Sequence, residues 1–489
     1  MLELSARTAL IDAFMVASHG DLKSLGAIHD RAMTEDPLLY GPLARWYQDH
    51  GAIRDHNELF VAHSLVSPYP ELRENGLVLL QRLRPYQVAR VVRYLKETVK
   101  NLTRIARTAV KIYLQRREEV PEWFDECVIR DQKSMKYLYA TLRIKPGPRA
   151  EQTLFQQKPP QDSRVAVARN LYRWRHEPAY QARMIREHHI QFTTARGAIS
   201  NYTPGVLEAL VEVMTPPQLI TNLSFIEKRG GLAHERIRRT VLGKLEHAVT
   251  ESRVAEFKAL VALQKVSPDP HLADKMMEMI SQRLRGRGRI TAHTALLVDK
   301  SGSMQECIEI GRLLAALCST ICDAELDVEA FDSHSFTVKP NGTGFKAWEE
   351  AFRRIRAAGA TSIGVSLAKL KDRPIEQVVL VSDGEENTNP LFLQELKALE
   401  KRQGRSVKVI WIRVGGAGKP FWDELVRAGV NLTVINFTGD YYNLPSVVPM
   451  LCAGEHRQLV EEVLACPLYQ RSDIDSLPPQ FDPETYEIL

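Results

Sequence analysis

A chain of 489 residues, 44% apolar and 26% charged, is longer than one hydrophobic core usually fills, so two or more domains are expected. No window reaches the roughly 20 consecutive apolar residues of a membrane span, and the opening MLELSARTALIDAFMV lacks a basic start followed by an apolar segment. These features argue against a membrane-embedded or secreted protein and lead to the expectation of a cytoplasmic one. The net charge of +5 conceals an asymmetry: residues 1–289 hold 45 Lys and Arg against 32 Asp and Glu (+13), and residues 290–489 hold 20 against 28 (−8). A basic half joined to an acidic half suggests a polyanion-binding body carrying a separate module.

From the N-terminus to about residue 283, apolar residues recur at helical spacing, as in VARVVRYLKETV, VLEALVEVM and ADKMMEMISQRL. Short breaks such as SPYP, KPGP, TPPQ and SPDP separate them. Many amphipathic helices in series, none able to bury its face alone, predict stacked helix pairs of the HEAT kind, although no crisp repeat shows in the letters. The six cysteines (Cys127, Cys307, Cys318, Cys322, Cys452, Cys466) form no CxxC pair and are read as reduced core thiols.

Residues 82–117 carry eleven Lys and Arg against one acid, Glu97. Arg104, Arg107 and Lys111 fall three and four apart, so they share one helix face. With Arg116 and Arg117 they form a stripe suited to neutralising phosphates. The alternative is a solvated face with acidic partners on a neighbouring helix. A second basic, aromatic cluster, NLYRWRHEPAYQARMIREHHI, could stack on unpaired bases, but Tyr172 and Trp174 are expected to serve as core anchors.

RGRGRI, residues 285–290, suits neither helix nor strand and marks the expected junction, giving domains at 1–289 and 290–489. Beyond it, short apolar runs (TALLVD, LDVEAFD, QVVLVSD, VKVIWIRV, LTVINF) alternate with helical stretches, the signature of a parallel sheet covered by helices. Ligands of such sheets sit beyond the carboxyl ends of the strands. Asp299 follows one strand and Asp383 another. In LLVDKSGSM, Asp299, Ser301 and Ser303 offer oxygen ligands at alternate positions, with Gly302 expected to ease the turn between them. Thr361, in the loop RAAGATSIG, could add another hydroxyl. Hydroxyls with few carboxylates suit Mg2+, which keeps several of its waters. Ser303 could instead only cap the following helix, but capping does not explain Thr361 and Asp383. A serine hydrolase would need a paired base and a G-x-S-x-G elbow, neither of which the sequence offers around Ser301.

D-x-S-x-S, a threonine loop and Asp-Gly after a strand together resemble the metal-ion-dependent adhesion site of von Willebrand factor A domains, over roughly residues 291–470. The resemblance implies a divalent cation, Mg2+ first with Mn2+ or Ca2+ as substitutes, held by Asp299, Ser301, Ser303, Thr361 and Asp383. It also implies one open vertex that a partner's carboxylate can fill. The segments KIYLQRREEVPEWFDECVIRDQKSMKYLYATLRIKPGP and ITNLSFIEKRGGLAHERIRRTVLGKLEHAVTESRVAEFKALVALQ resemble the TROVE domain of the Ro autoantigen family. That resemblance implies a HEAT-like helical ring closed by an α/β doubly wound A domain, binding misfolded noncoding RNA and Y RNAs. By position, Arg130 stands where the family has an RNA-contacting basic residue and Arg143 where it has a histidine. Lys133 and Lys136 extend the same basic helix. Glu126 stands where the family offers a lysine, which weighs against Y RNA specificity more than against RNA binding.

The expectation is therefore a monomeric, non-enzymatic RNA-binding protein of RNA quality control, working with an exoribonuclease or other processing partner. The competing class is a protein-interaction scaffold whose metal site recruits a carboxylate-bearing partner without RNA. A nuclease is disfavoured because such sites rely on clustered carboxylates holding two ions.

Overall fold

A computed structural model describes residues 4–16, 22–51, 54–98, 102–248, 289–342, 345–415, 418–437, 447–452 and 456–477. The expected ADKMMEMISQRL helix, the SPDP break, the last part of the second TROVE-like segment (249–264) and residues 285–288 of the junction lie outside them. The chain divides into two compact units. The first comprises Met1–Arg7, His19–Val254 and Val460–Leu489, and the second Thr8–Ser18 and Ala255–Leu459.

Between residues 4 and 248 the described elements are helical: α1 (Leu4–Val16), α2 (Leu22–Glu35), α3 (Pro37–His50), α4 (Arg54–Val66), α5 (Pro70–Gln81), α6 (Pro85–Thr98), α7 (Arg104–Glu118), α8 (Pro121–Leu142), α9 (Pro148–Ala150), α10 (Arg164–Arg173), α11 (Pro178–Glu187), α12 (Phe192–Ala198), α13 (Pro204–Val213), α14 (Pro216–Lys228) and α15 (Glu235–Ala248). The proline breaks in the sequence prove to be helix starts. Pro70 of SPYP, Pro148 of KPGP and Pro216 of TPPQ each stand in the first turn, where the missing amide costs nothing and the fixed φ already suits a helix. Thr103, Ser163 and Thr203 cap α7, α10 and α13 by accepting from the amides of Ala106, Ala166 and Val206.

Within the first unit α4 packs on α5 and α6, α5 on α7, α6 on α8 and α7 on α8, so each of α4, α5 and α6 meets the helix two further on, and α4 and α7 also meet their successors. This is the stacking of helix pairs that the periodicity predicts. Phe60, Leu79, Val91, Tyr113 and Phe124 are completely or almost completely buried in it; each such side chain contributes about 1.5–3 kcal/mol.

Residues 460–477, expected to end the α/β domain, belong instead with these helices. Trp46 Nε1 donates to Glu462 Oε1 at 2.7 Å, the amide of Tyr469 donates to Asn75 Oδ1 at 3.1 Å, and the Arg45 guanidinium lies 4.1 Å from the centre of the Tyr469 ring. The sequence change near residue 290 marks where the sheet begins but carries no comparable mark for where the chain leaves it.

The second unit contains a six-stranded sheet: β1 (Thr294–Asp299), β2 (Leu326–Phe331), β3 (Ser335–Thr337), β4 (Gln377–Ser382), β5 (Lys408–Val414) and β6 (Leu432–Phe437), in the order β3-β2-β1-β4-β5-β6. All neighbours run parallel except β2 and β3. Helices α16 (Gln305–Ile321), α17 (Phe345–Phe352), α18 (Gly364–Lys369), α19 (Phe392–Gln403) and α20 (Lys419–Arg427) join the strands, and α21 (Val447–Cys452) follows β6. Every residue of β1 and β4 is buried, which is why both read as unbroken apolar runs rather than alternating ones. Strand order reverses between β1 and β4, so the crevice beyond their carboxyl ends is the topological switch point.

Candidate functional site

Asp299 is the last residue of β1 and is completely buried. Its Oδ1 accepts the amide of Ser301 at 2.9 Å, and its Oδ2 accepts the Ser382 hydroxyl at 2.7 Å from the end of β4. One residue further on, half-buried Asp383 turns its Oδ1 to the amide of Glu385 at 2.9 Å. Burial pushes the Asp299 carboxyl up from the usual range and the Asp383 charge pushes it further, against the hydrogen bonds from Ser382 and Ser301. Among the described residues no Lys or Arg pairs with either carboxylate.

Three loops are tied together at this edge. The amide of Gly302 donates to Gly359 O at 3.2 Å and that of Ala358 to Lys300 O at 2.7 Å, joining the D-x-S-x-S loop to the threonine loop. The threonine loop is in turn bound to the segment after β4. Thr361 N donates to Asn387 Oδ1 at 3.1 Å, and the amides of Asn387 and Thr388 donate to Thr361 O at 3.0 Å. Glu386 Oε1 accepts the amides of Ile363 and Gly364 at 2.7 and 2.9 Å, and Glu386 also takes the amide of Phe392, so one carboxylate serves the starts of α18 and α19. The buried ammonium of Lys300 pairs with Asp332, whose backbone carbonyl accepts the Ser362 amide at 2.9 Å.

Asp299, Ser301, Ser303, Thr361 and Asp383 thus stand on three loops joined by hydrogen bonds at one sheet edge. Ser301 and Thr361 are buried and Ser303 is exposed. Ser303 does not cap α16: the residue before that helix is Met304, and no side chain caps it. Gly302 does not play the part expected of it, because an added Cβ there would meet nothing nearer than Gly359 O at 3.8 Å. The demanding glycine is Gly384, at φ +78°, where a Cβ would fall 2.5 Å from the Trp411 ring. Among the described residues no three His, Cys, Asp or Glu side chains gather in a way that could hold a metal. The candidate set instead has two unpaired carboxylates and three hydroxyls, a donor chemistry that fits a hard, partly hydrated cation such as Mg2+.

The basic stripe on α7 is only partly a surface. Arg104, Arg107 and Lys111 are exposed on one face, as their spacing predicts. With Arg143 and Lys145 they line a groove of about 500 Å3 between α7 and the end of α8. Arg143 itself caps α8 in a left-handed conformation (φ 53°) with its side chain exposed. Arg117 corrects the sequence reading: it is 1% exposed and is a core residue, not a phosphate ligand. Its guanidinium donates to Tyr113 O (3.0 Å), Gln81 O (3.1 Å) and Leu83 O (3.3 Å) and lies over the Tyr113 and Trp123 rings. Arg116 is half-buried and donates to Leu477 O at 3.2 Å.

On α8, Lys133 is exposed and Arg130 and Lys136 are half-buried, outside the groove. Glu126 is buried, 2.8 Å from the Arg164 guanidinium and 3.9 Å from that of Arg130. This acid therefore holds α10 against α8 and presents no surface of its own. Lys145, at the rim of the groove, is a basic residue that the charge count over 82–117 does not reach; as the first residue of the KPGP break, two positions after Arg143, it carries the sequence signal that could have found it.

Residues 238–428 match the family model of von Willebrand A domain containing CoxE-like proteins. The crystal structure of the Deinococcus radiodurans RO (RSR) protein superposes with a TM-score of 0.65 at 14% identity, covering 92% of this chain and 100% of that one. The fold is Ro-like. Ro-like here means helical repeats followed by an A-type sheet, the architecture described above. Two further structures are similar over a smaller part: proximal thread matrix protein 1 of the mussel byssus (18% identity, 34% of this chain and 48% of that one, TM-score 0.28) and a von Willebrand factor type A protein of Catenulispora acidiphila (17%, 36% and 43%, TM-score 0.27). No curated protein matches the chain.

Proposed function

We propose that this Ro-like protein binds structured or misfolded noncoding RNA through the helical unit and a divalent cation through the A-type unit, without catalysing a reaction on either. The observation that carries the RNA reading is the groove where exposed Arg104, Arg107 and Lys111 face Arg143 and Lys145. Five cations against a single acid, Glu118, around one groove exceed what solubility asks of a surface, and such a cluster can neutralise the phosphates of a folded RNA backbone. The Ro-like fold supports the reading at the level of architecture. A Y-like RNA remains among the candidate ligands; Glu126, buried and paired with Arg164, offers it neither a cation nor an exposed acid.

At the A-type unit, Asp299, Ser301, Ser303, Thr361 and Asp383 would hold Mg2+, with Mn2+ or Ca2+ as substitutes. A bound cation would supply a Lewis-acidic position that a carboxylate of a protein partner can occupy, an exoribonuclease or RNA-processing protein being the class that fits an RNA-binding body. The protein's own residues do the rest: Ser382 orients Asp299, while Asn387 and Glu386 fix the threonine loop.

The test is crosslinking and sequencing of RNA bound in cells, with the wild type and with Arg104, Arg107 and Lys111 each changed to Glu. The proposal expects the bound population to collapse in the triple variant. An unchanged population means that this face is not the RNA surface.

A further inference from the structure

The turn between α10 and α11 carries aromatic side chains that the fold leaves in water. Tyr172 and Trp174, expected as core anchors, are 54% and 48% exposed. The reason lies in where α10 stops. Leu171 is the last residue of its buried face, and buried Gln181 secures the turn from beneath, donating to Leu171 O at 3.3 Å and Ala198 O at 2.9 Å. The residues that follow Leu171 fall on the outer side. Their backbone is fixed nonetheless: Trp174 N donates to Asn170 O, Arg175 N to Tyr172 O and Glu177 N to Trp174 O, at 3.0–3.2 Å.

Cations surround these rings. The Arg175 guanidinium lies 5.2 Å from the Tyr172 ring centre, and that of Arg183 lies 5.3 Å from Tyr180. Arg169 and Arg173 are exposed on the last turns of α10. Among the described residues no carboxylate pairs with Arg169, Arg173 or Arg175; Glu177 is the single acid of the turn, and Arg183 reaches Glu187 only at 3.8 Å. The Trp174 and Tyr180 rings are 5.6 Å apart and tilted by 47°, too close to admit a base between them, so their outer faces are the ones on offer.

We propose that this turn is a second nucleic-acid site, which stacks unpaired bases of single-stranded RNA on Tyr172 and Trp174 while Arg169, Arg173 and Arg175 take the flanking phosphates. Exposed aromatic faces interleaved with guanidinium groups are the arrangement that holds single strands without reading their sequence. Arg169 donates to Gln157 O at 2.9 Å and Arg175 to His176 Nε2 at 3.2 Å, but none of the three guanidiniums has a carboxylate partner among the described residues. A protein partner would have to bring carboxylates for all three, whereas an RNA strand supplies a phosphate at every step. The site rests on the RNA-binding reading above and adds to it a preference for unpaired segments, distinct from the groove on α7.

The test measures fluorescence anisotropy of the full-length protein with a labelled 12-nucleotide oligouridine and with a blunt RNA duplex, for the wild type, Trp174→Ala, Tyr172→Ala/Trp174→Ala and Trp174→Phe. Because the rings are exposed, these variants keep their fold. Trp174→Ala is expected to weaken oligouridine about tenfold, leave the duplex within twofold, and be largely rescued by Trp174→Phe. A wild type that binds oligouridine and a double variant that binds it equally well overturns the stacking site while sparing the groove, and leaves the patch to a protein partner. Oligouridine binding that depends on Trp174, in a protein whose duplex binding ignores charge reversal on α7, upholds the stacking site and sinks the groove. A wild type that binds neither RNA overturns both.

Discussion

The hydroxyl of Ser382 donates to Oδ2 of Asp299 at 2.7 Å, across the point where strand order reverses. It fixes one oxygen of the buried carboxylate from the neighbouring strand, while the amide of Ser301 fixes the other. An oriented carboxylate needs no reorganisation to take a cation, and such supporting bonds typically matter by one to two orders of magnitude. Ser382→Ala should therefore weaken Mg2+ binding by about tenfold or more, read by calorimetry, and Asp299→Ala should abolish it. Equal Mg2+ affinity in wild type and Ser382→Ala would show that this bond does not prepare the site.

Glu386 accepts backbone amides at the starts of both α18 and α19. Removing the carboxylate strands those donors at an apolar core that includes Ile363 and Phe392. Glu386→Ala should cost about 1–3 kcal/mol of stability in the A-type unit, seen in thermal melts. It should also weaken Mg2+ binding, because the threonine loop loses one of its ties to the segment after Asp383. Unaltered melting would mean that water replaces the carboxylate at no cost.

Arg116 and Arg117 are adjacent in sequence and opposite in role. Arg117→Ala strips the Gln81 carbonyl of its Arg117 donor and leaves Leu83 O with the Tyr113 hydroxyl alone, and should destabilise the helical unit by about 1–3 kcal/mol. RNA affinity of the folded protein should stay near that of the wild type. Arg107→Glu should do the reverse, leaving the melting temperature in place and weakening RNA. Matched melts and binding isotherms on the two variants check the assignment.

The distinction was present in the sequence. Arg117 lies seven, four and three residues after Val110, Tyr113 and Leu114, all on the buried face of α7, whereas Arg104, Arg107 and Lys111 follow the opposite one. Counting charge over the stripe hid a periodicity that placed one cation inside. Asp299 and Asp383 were legible because each follows an unbroken apolar strand. Glu386 and Asn387 were not, since they act on backbone amides of a distant loop and no spacing of letters records that. Tyr172 and Trp174 differ from the expectation for a third reason: Tyr172, in the last turn of α10, and Trp174, at its C-cap, lie beyond Leu171, the last residue of the helix's buried face.

The helical unit also holds a buried histidine cluster. His29 Nδ1 meets the Tyr40 hydroxyl at 2.8 Å and its Nε2 meets His56 at 2.9 Å, while His63 contacts Tyr94 at 3.0 Å. Burial holds the His29 imidazole well below its usual value of 6.5, aided by its two histidine neighbours, and burial lowers His63 despite Asp30. A base whose pKa is depressed on folding takes up protons preferentially in the unfolded chain. Its contribution is therefore whole above pH 6.5 and is lost as pH falls through that value toward the folded-state pKa. Melting temperatures should fall between pH 7 and pH 5, and His29→Gln should show a flatter profile. An equally steep profile in that variant would assign the acid sensitivity elsewhere.

The central claim is a division of labour, with phosphates on the helical unit and the cation on the A-type unit. It is tested most directly by the salt dependence of RNA affinity in wild type, Asp299→Ala and Arg104→Glu/Arg107→Glu/Lys111→Glu proteins at fixed Mg2+. The account predicts a steep fall of affinity with salt in the wild type, the same affinity and slope in Asp299→Ala despite its lost Mg2+ binding, and a weaker, shallower dependence in the triple variant. Loss of RNA binding in Asp299→Ala, or an unchanged slope in the triple variant, would contradict it.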